Sequence, residues 1–270
     1  MTGYKPHARL LYRLFAWGLS VVSPVKPLFR LALKVLTGRK RSIRGHILPV
    51  NANLGQPVQT QLSRELLVEL INRSTAVGAM HECLCRAVGS CEEFPKDLGC
   101  LVLGQSVLSL HPGLGREISR EEAAAVVDRA FALNLSPMVV HFKGDALLWS
   151  LEHSKMLTIC FCCPCHCMLR DALTMRGVGG SRMTGLSGIT IDYHERLCVN
   201  CGQCADACVA TAINLVNEIP VIDPDRCVRC GRCAMACPSG ALLVQANSEA
   251  NAGQLIQEYS SRTANKSVFH

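Results

Sequence analysis

The run Cys198-x2-Cys201-x2-Cys204-x3-Cys208 recurs as Cys227-x2-Cys230-x2-Cys233-x3-Cys237-Pro238, and this doubling constrains the chain more than any other feature. Three cysteines on one tight loop can cap three irons of a cubane, and thiolates at this spacing hold [4Fe–4S] clusters. Structural zinc also uses C-x2-C, but it takes two pairs and four ligands, not two triplets each followed by a fourth cysteine. Seventeen cysteines with 5% aromatic residues would suit a secreted disulfide scaffold. Such scaffolds are short, however, and rarely carry Cys-x-Cys or Cys-Cys steps. Thiolates destined for clusters need reducing conditions, so the expected compartment is the cytoplasm.

The stretch from about Thr190 to Val244, with its eight cysteines, Gly202, Gly231 and Pro238, resembles the bacterial-type dicluster ferredoxins. In that family the fourth cysteine of each run serves the other cluster. The resemblance therefore implies one [4Fe–4S] cluster on Cys198, Cys201, Cys204 and Cys237, and a second on Cys227, Cys230, Cys233 and Cys208. It also implies a βαββαβ unit. Val209 departs from the family, which usually has proline after the first run, and the change should loosen one turn without removing a ligand.

A net charge of +7 conceals an asymmetry. Lys5, Lys26, Lys34, Lys40, Arg9, Arg13, Arg30, Arg39, Arg41, Arg44 and Arg64 all precede the first acid, Glu65, so the remainder is net acidic. The basic segment is also apolar, with Leu10, Leu11, Leu14, Phe15 and Trp17 and then Leu28, Phe29, Leu31 and Leu33. Its uncharged run, Leu14 to Val25, has 12 residues, short of the ~18–20 that cross a bilayer. Pro24 and Pro27 interrupt it as well. Two short amphipathic helices lying in an anionic headgroup layer are the expectation, at the inner face of the membrane. A docking arm for a partner subunit fits nearly as well. A signal peptide would want a cleavage site that is not evident, and a nucleic-acid arm would want basic clusters without the leucines.

Four regions follow: a basic arm over 1–45, a cysteine-rich metal or Fe–S domain over 46–185, the dicluster unit over 186–247 and a polar tail over 248–270. Residues 45–62 read as an extended connector with one apolar patch, Ile47-Leu48. Ser63 is the expected cap of a helix to about Val77, stopped at Gly78. Ser119-x-x-Glu122 is a capping box opening a helix to about Asn134, and Pro137–Phe142 reads as a short buried strand. The expected fold is α+β, with a helical middle domain, the βαββαβ unit and an N-terminal amphipathic arm. The tail is expected to be a surface helix or frayed.

Nine cysteines lie outside the doubled run: Cys83, Cys85, Cys91 and Cys100, then Cys160, Cys162, Cys163, Cys165 and Cys167. Packing alone does not concentrate thiols this densely, which points to one or two further Fe–S centres. Alternate side chains of an extended chain share a face, so Cys83 with Cys85, and Cys163 with Cys165 and Cys167, can each converge. The economical grouping puts the first four around one cluster and four of the last five around another; a single cluster spanning both tracts would leave several thiols over. His81 and His166 sit beside these thiols as candidate donors that tune a potential. Arg86, Arg170 and Arg176 could favour a cluster's extra electron, or simply be solvated. The order of these features resembles uncharacterised Fe–S proteins of anaerobic bacteria and archaea, a likeness that names no substrate.

No G-x-G-x-x-G follows a predicted strand and no P-loop is present, so neither a nicotinamide nor a flavin site is expected. The first reading is a non-catalytic electron-transfer subunit, relaying single electrons between a soluble donor and a partner redox enzyme or membrane complex. A catalytic reductase using a cluster or dithiol in Cys160–Cys167 is the alternative. A redox sensor is a third, though no output module is visible. Nucleic acid is not an expected partner.

Overall fold

The computed structural model describes residues 43–49, 58–167, 182–264 and 266–270, with a few isolated positions before residue 19. Arg170 and Arg176, and almost all of the basic arm, lie outside the described residues. The chain is α+β. Its larger unit departs from the helical expectation, because it is organised by a seven-stranded sheet.

The strands are β1 (Ile43–Ile47), β2 (Val77–Met80), β3 (Leu101–Leu103), β4 (Gly115–Glu117), β5 (Ser136–Phe142), β6 (Leu157–Cys162) and β7 (Arg182–Gly185), in the order β4-β2-β3-β6-β5-β1-β7. All neighbours are antiparallel except β1 and β7. β1 occupies the stretch read as connector. Ile47 pairs with Met138, so the boundary at residue 45 cuts through a strand. Gly78 stops no helix: it lies within β2, and the helix before it ends at Arg73.

Helices α1 (Val58–Arg73) and α3 (Arg120–Ala132) cover one face of the sheet, while α2 (Leu84–Val88) sits in the first cysteine tract. Ser119 caps α3 as its sequence announces: its hydroxyl accepts from the Glu122 N–H and the Glu122 carboxylate accepts from the Ser119 N–H. Leu66, Leu67, Leu70 and Ile71 of α1 meet Val127, Ala130 and Phe131 of α3 over Leu101, Leu103, Val139, Leu157, Ile159 and Phe161 of the sheet. Because strand side chains alternate, Met138, Val140, Cys160 and Cys162 point to the opposite face. There they pack with Val209, Ala210, Ala212, Val228 and Cys230 of the C-terminal unit. Beside them, α4 (Lys143–Trp149) adds Ala146, Leu148 and Trp149 to a smaller cluster around Val102 and Met156.

The C-terminal unit runs β8 (Ile189–Tyr193), α5 (Gln203–Asp206), β9 (Ile213–Val216), β10 (Ile219–Ile222), α6 (Arg232–Met235) and β11 (Leu242–Ala246). β8 pairs with β11, and β9 with β10 through Asn217-Glu218, both at positive φ as the twist of a two-residue hairpin requires. The tail is neither frayed nor superficial. Asn251 caps α7 (Ala252–Ser260), Leu255 and Tyr259 enter the core, and the Tyr259 hydroxyl donates to the Val139 carbonyl at 3.0 Å. Leu255 and Tyr259 are the helical i, i+4 pair that a small, polar composition conceals.

Candidate metal centres

The two cysteine runs fold into near-duplicate loops. Asn200 and Gly202 in the first, and Arg229 and Gly231 in the second, hold positive φ, so each chain coils tightly before a one-turn helix. Successive N–H groups in such turns form an electropositive concavity. Thr211 and Gly240 match one another in the same way. The fourth cysteines are equivalent too: Cys208 Sγ accepts the Ala212 N–H at 3.1 Å, and Cys237 Sγ accepts the Ala241 N–H at 3.2 Å.

One cavity of about 330 Å³ is lined by Cys198, Cys201, Cys204 and Cys237, with Tyr193 and Leu215. A second of about 330 Å³ is lined by Cys208, Cys227, Cys230 and Cys233, with Ile191 and Ile213. Each run's fourth cysteine thus lines the other run's cavity. None of the seventeen cysteines forms a disulfide.

Burial makes Cys204, Cys227, Cys230 and Cys233 weaker acids than an ordinary thiol. Burial pushes Cys230 up to about 11 and Cys233 up to about 12. Cys237 is the exception: burial pushes it up, but the Ser239 hydroxyl and neighbouring backbone N–H groups outweigh that and leave it below the ordinary thiol value. A bound cation deprotonates its thiol ligands, so occupancy and proton release are coupled.

The nine remaining cysteines do not divide by tract. A third cavity of about 330 Å³ draws Cys83, Cys85 and Cys100 from the first tract and Cys160, Cys162, Cys163 and Cys167 from the second. The register Leu101↔Ile159 between β3 and β6 brings Cys100 beside Cys160, their sulfurs 3.5 Å apart. Cys91, Cys163, Cys165 and His166 form a separate knot whose ligand atoms all lie within 4.8 Å of one another. Of the first tract, Cys83, Cys85 and Cys100 thus line the third cavity, whereas Cys91 lies in the knot. Cys163 belongs to both, lining the third cavity with Cys167 and meeting Cys165 in the knot. The cause is that residues 157–162 are a strand, which sends Cys160 and Cys162 to one face, while the turn at Pro164 redirects the thiols that follow. His81 joins neither group: its Nε2 lies 2.9 Å from the Pro112 carbonyl at an exposed position.

Arg86 lines the third cavity at 1% exposure. Its guanidinium donates to the carbonyls of Pro95 and of Phe161, the latter at 2.7 Å, leaves Nε without a partner, and makes no carboxylate ion pair among the described residues. A buried cation is costly unless an anion compensates it, and an all-thiolate cluster is such an anion. Arg232, also buried, donates to Ser136 Oγ at 2.8 Å. It lines a fourth space, of about 290 Å³, together with Cys162, Cys163, Val209 and Cys230. That space shares Cys230 with the second cavity and Cys162 and Cys163 with the third. Val209, where the resembled family has proline, therefore sits at the contact between the two units. Sequence reading passed over Arg232, which nothing distinguishes from the other arginines of its run.

No helix among the described residues is long and apolar enough to cross a membrane. No curated protein and no solved structure matches the chain. Residues 220–243, holding the second cysteine run and its flanking strands, match the 4Fe-4S binding domain family (Fer4). The chain therefore carries a ferredoxin-type domain for iron–sulfur clusters.

Proposed function

We propose that the chain is an electron carrier of the dicluster type, with two [4Fe–4S] clusters bound crosswise and a third held among Cys83, Cys85, Cys100, Cys160, Cys162 and Cys167. The observation that carries this reading is the exchange of Cys208 and Cys237 between the two cavities. Each cubane supplies a one-electron couple when bound. The residues of the chain do the rest. Thiols that grade from the exposed Cys201 to the buried Cys230 and Cys233 hold the centres, backbone N–H groups soften their charge, and Arg86 and Arg232 favour the reduced state of whatever they face.

The order along the path follows from shared walls: Cys230 borders both the second cavity and the linking space, and Cys162 and Cys163 border both that space and the third cavity. At the far end, Cys201 is exposed and Val199 and Leu215, which line the first cavity, present apolar side chains to solvent, as does Leu197 beside Cys198. A small apolar rim of this kind suits brief encounters with a redox partner. The catalytic alternative needs a cluster short of ligands, whereas the third cavity offers more thiols than a cubane uses. Serine at Cys83, Cys85, Cys160 and Cys162 together leaves only Cys100, Cys163 and Cys167 around the third cavity, fewer than a cubane uses, and should remove one EPR-detectable couple and about four irons. The signals of the other two clusters should survive. Retention of all three would refute the third centre.

The basic arm would fix the carrier at an anionic lipid surface on the cytoplasmic side. Leu10, Leu14 and Trp17 fall on one helical face and are exposed. Vesicles containing anionic lipid should float the intact chain at low salt and leave a chain lacking residues 1–42 behind. Equal flotation of the two would defeat the idea.

A further inference from the structure

The knot of Cys91, Cys163, Cys165 and His166 differs from the two quartets of the doubled run in how closely all its ligand atoms stand together. Each cysteine of a cubane binds a different iron, so its four thiolates stand well apart. Ligands of a single ion crowd together instead. Zinc–sulfur bonds of about 2.3 Å in a tetrahedron put two thiolates roughly 3.8 Å apart. Cys91 Sγ and Cys165 Sγ are 3.7 Å apart. Among the described residues this is the one group in which three or more potential ligand atoms all fall within 4.8 Å of one another. The two quartets of the doubled run do not meet that spacing.

The surroundings are built for the same purpose. Cys91 follows Ser90, which holds a positive φ, and the Cys91 N–H donates to the Arg86 carbonyl at 2.9 Å, so the thiol is fixed just after α2. On the other side, the turn at 164–166 folds back so that the His166 N–H donates to Cys163 Sγ at 3.3 Å, the kind of bond that steadies a metal-bound thiolate. His166 packs against Gly89, where even a methyl group would overlap the imidazole. Its Nδ1 is enclosed and has no hydrogen-bond partner. An imidazole buried in this way costs free energy that contact with a bound ion would offset.

We infer that Cys91, Cys163, Cys165 and His166 bind a single tetrahedral zinc-class divalent ion, distinct from the iron–sulfur centres. The site pins the loop after α2 to the turn after β6. Cys85 lies in α2 just before the first segment, and Cys162 and Cys167 flank the second, so the ion steadies the wall of the third cavity. It carries no electrons, since zinc has no accessible second oxidation state. This inference is independent of the relay reading: a chain without a third cluster would still have the knot.

The test uses the full chain, purified anaerobically and given Co²⁺ in place of zinc. Thiolate-to-cobalt charge-transfer absorption and intense tetrahedral ligand-field bands are expected, at one equivalent per chain. Zinc analysis of the cobalt-free protein should give the same stoichiometry. The variants C165S and H166A are chosen because Cys163 also lines the third cavity. Each should lose the cobalt bands and lower zinc content several-fold, while acid-labile sulfide stays at the parental value. If the unaltered chain gives no thiolate–cobalt absorption, the site does not exist. If C165S instead lowers acid-labile sulfide, these residues serve an iron–sulfur cluster and the inference is overturned. A loss of iron from the doubled run alone would count against the relay and leave this result untouched.

Discussion

Replacing Cys237 by serine should damage the cluster of the first run, not that of the second run in which Cys237 lies. C208S should do the reverse. The reason is that Cys237 lines the cavity of Cys198, Cys201 and Cys204, and Cys208 the cavity of Cys227, Cys230 and Cys233. Each single variant should lose as many as about four irons, or drop one iron to leave a three-iron centre, with a shifted EPR signal from one cluster only. The informative comparison is a double variant. C198S with C237S strikes one cluster twice and should leave about four irons in this unit, whereas C198S with C208S strikes both and should leave fewer. If C198S with C237S empties both cavities while C198S with C208S spares one, the pairing is along each run and the crosswise account is wrong. EPR of the reduced proteins and iron analysis read these outcomes directly.

Asp145 should make stability fall as pH rises, and its replacement by asparagine should remove the effect. The residue lies in the first turn of α4, and burial pushes its carboxyl up to about 7. The nearby Thr158 hydroxyl eases that cost without completing a hydrogen bond, and Asp145 Oδ2 has no partner. A carboxyl raised above its unfolded value stabilises the fold fully below that value, near 4, and loses its contribution as pH climbs through 7. Each tenfold difference in proton affinity between the folded and unfolded chain is worth about 1.4 kcal/mol, so the advantage of D145N over the parent should grow by roughly 2–3 kcal/mol between pH 5 and pH 8. For a chain of this size that corresponds to a difference of roughly 5–10 °C in melting temperature. Thermal unfolding of cluster-loaded protein at the two pH values measures it, and a difference that does not change with pH would show that Asp145 ionises normally. The site gives this carboxyl a functional bearing. A charged Asp145 would push up the Cys160 thiol nearby, so a neutral one keeps negative charge away from the third cavity.

What the sequence discloses and what it hides divide along a physical line. The loops of the doubled run are local structures: spacing alone brings three thiols together, and Gly202 and Gly231 mark the left-handed turns that make it possible. The capping box at Ser119 and the buried strand before α4 are local too. By contrast, Cys100 meets Cys160 through the register of β3 against β6, and Cys91 meets Cys165 through the fold-back of a turn. Neither contact leaves a trace in residue spacing. The middle unit read as helical because β2, β3 and β4 are only three or four residues long, too short to show alternation. β1 hid in a segment that looked like a linker because its apolar signal there is short, Ile47 at its end and Leu48 just after it, both buried.

Iron and acid-labile sulfide, determined on anaerobically reconstituted full-length protein with parallel EPR, test the central claim most directly. Three cubanes predict about 12 irons and 12 sulfides per chain, of which about 8 belong to the doubled run. Fewer than about 8 irons in fully reconstituted protein, or iron without labile sulfide, would contradict the crosswise dicluster account.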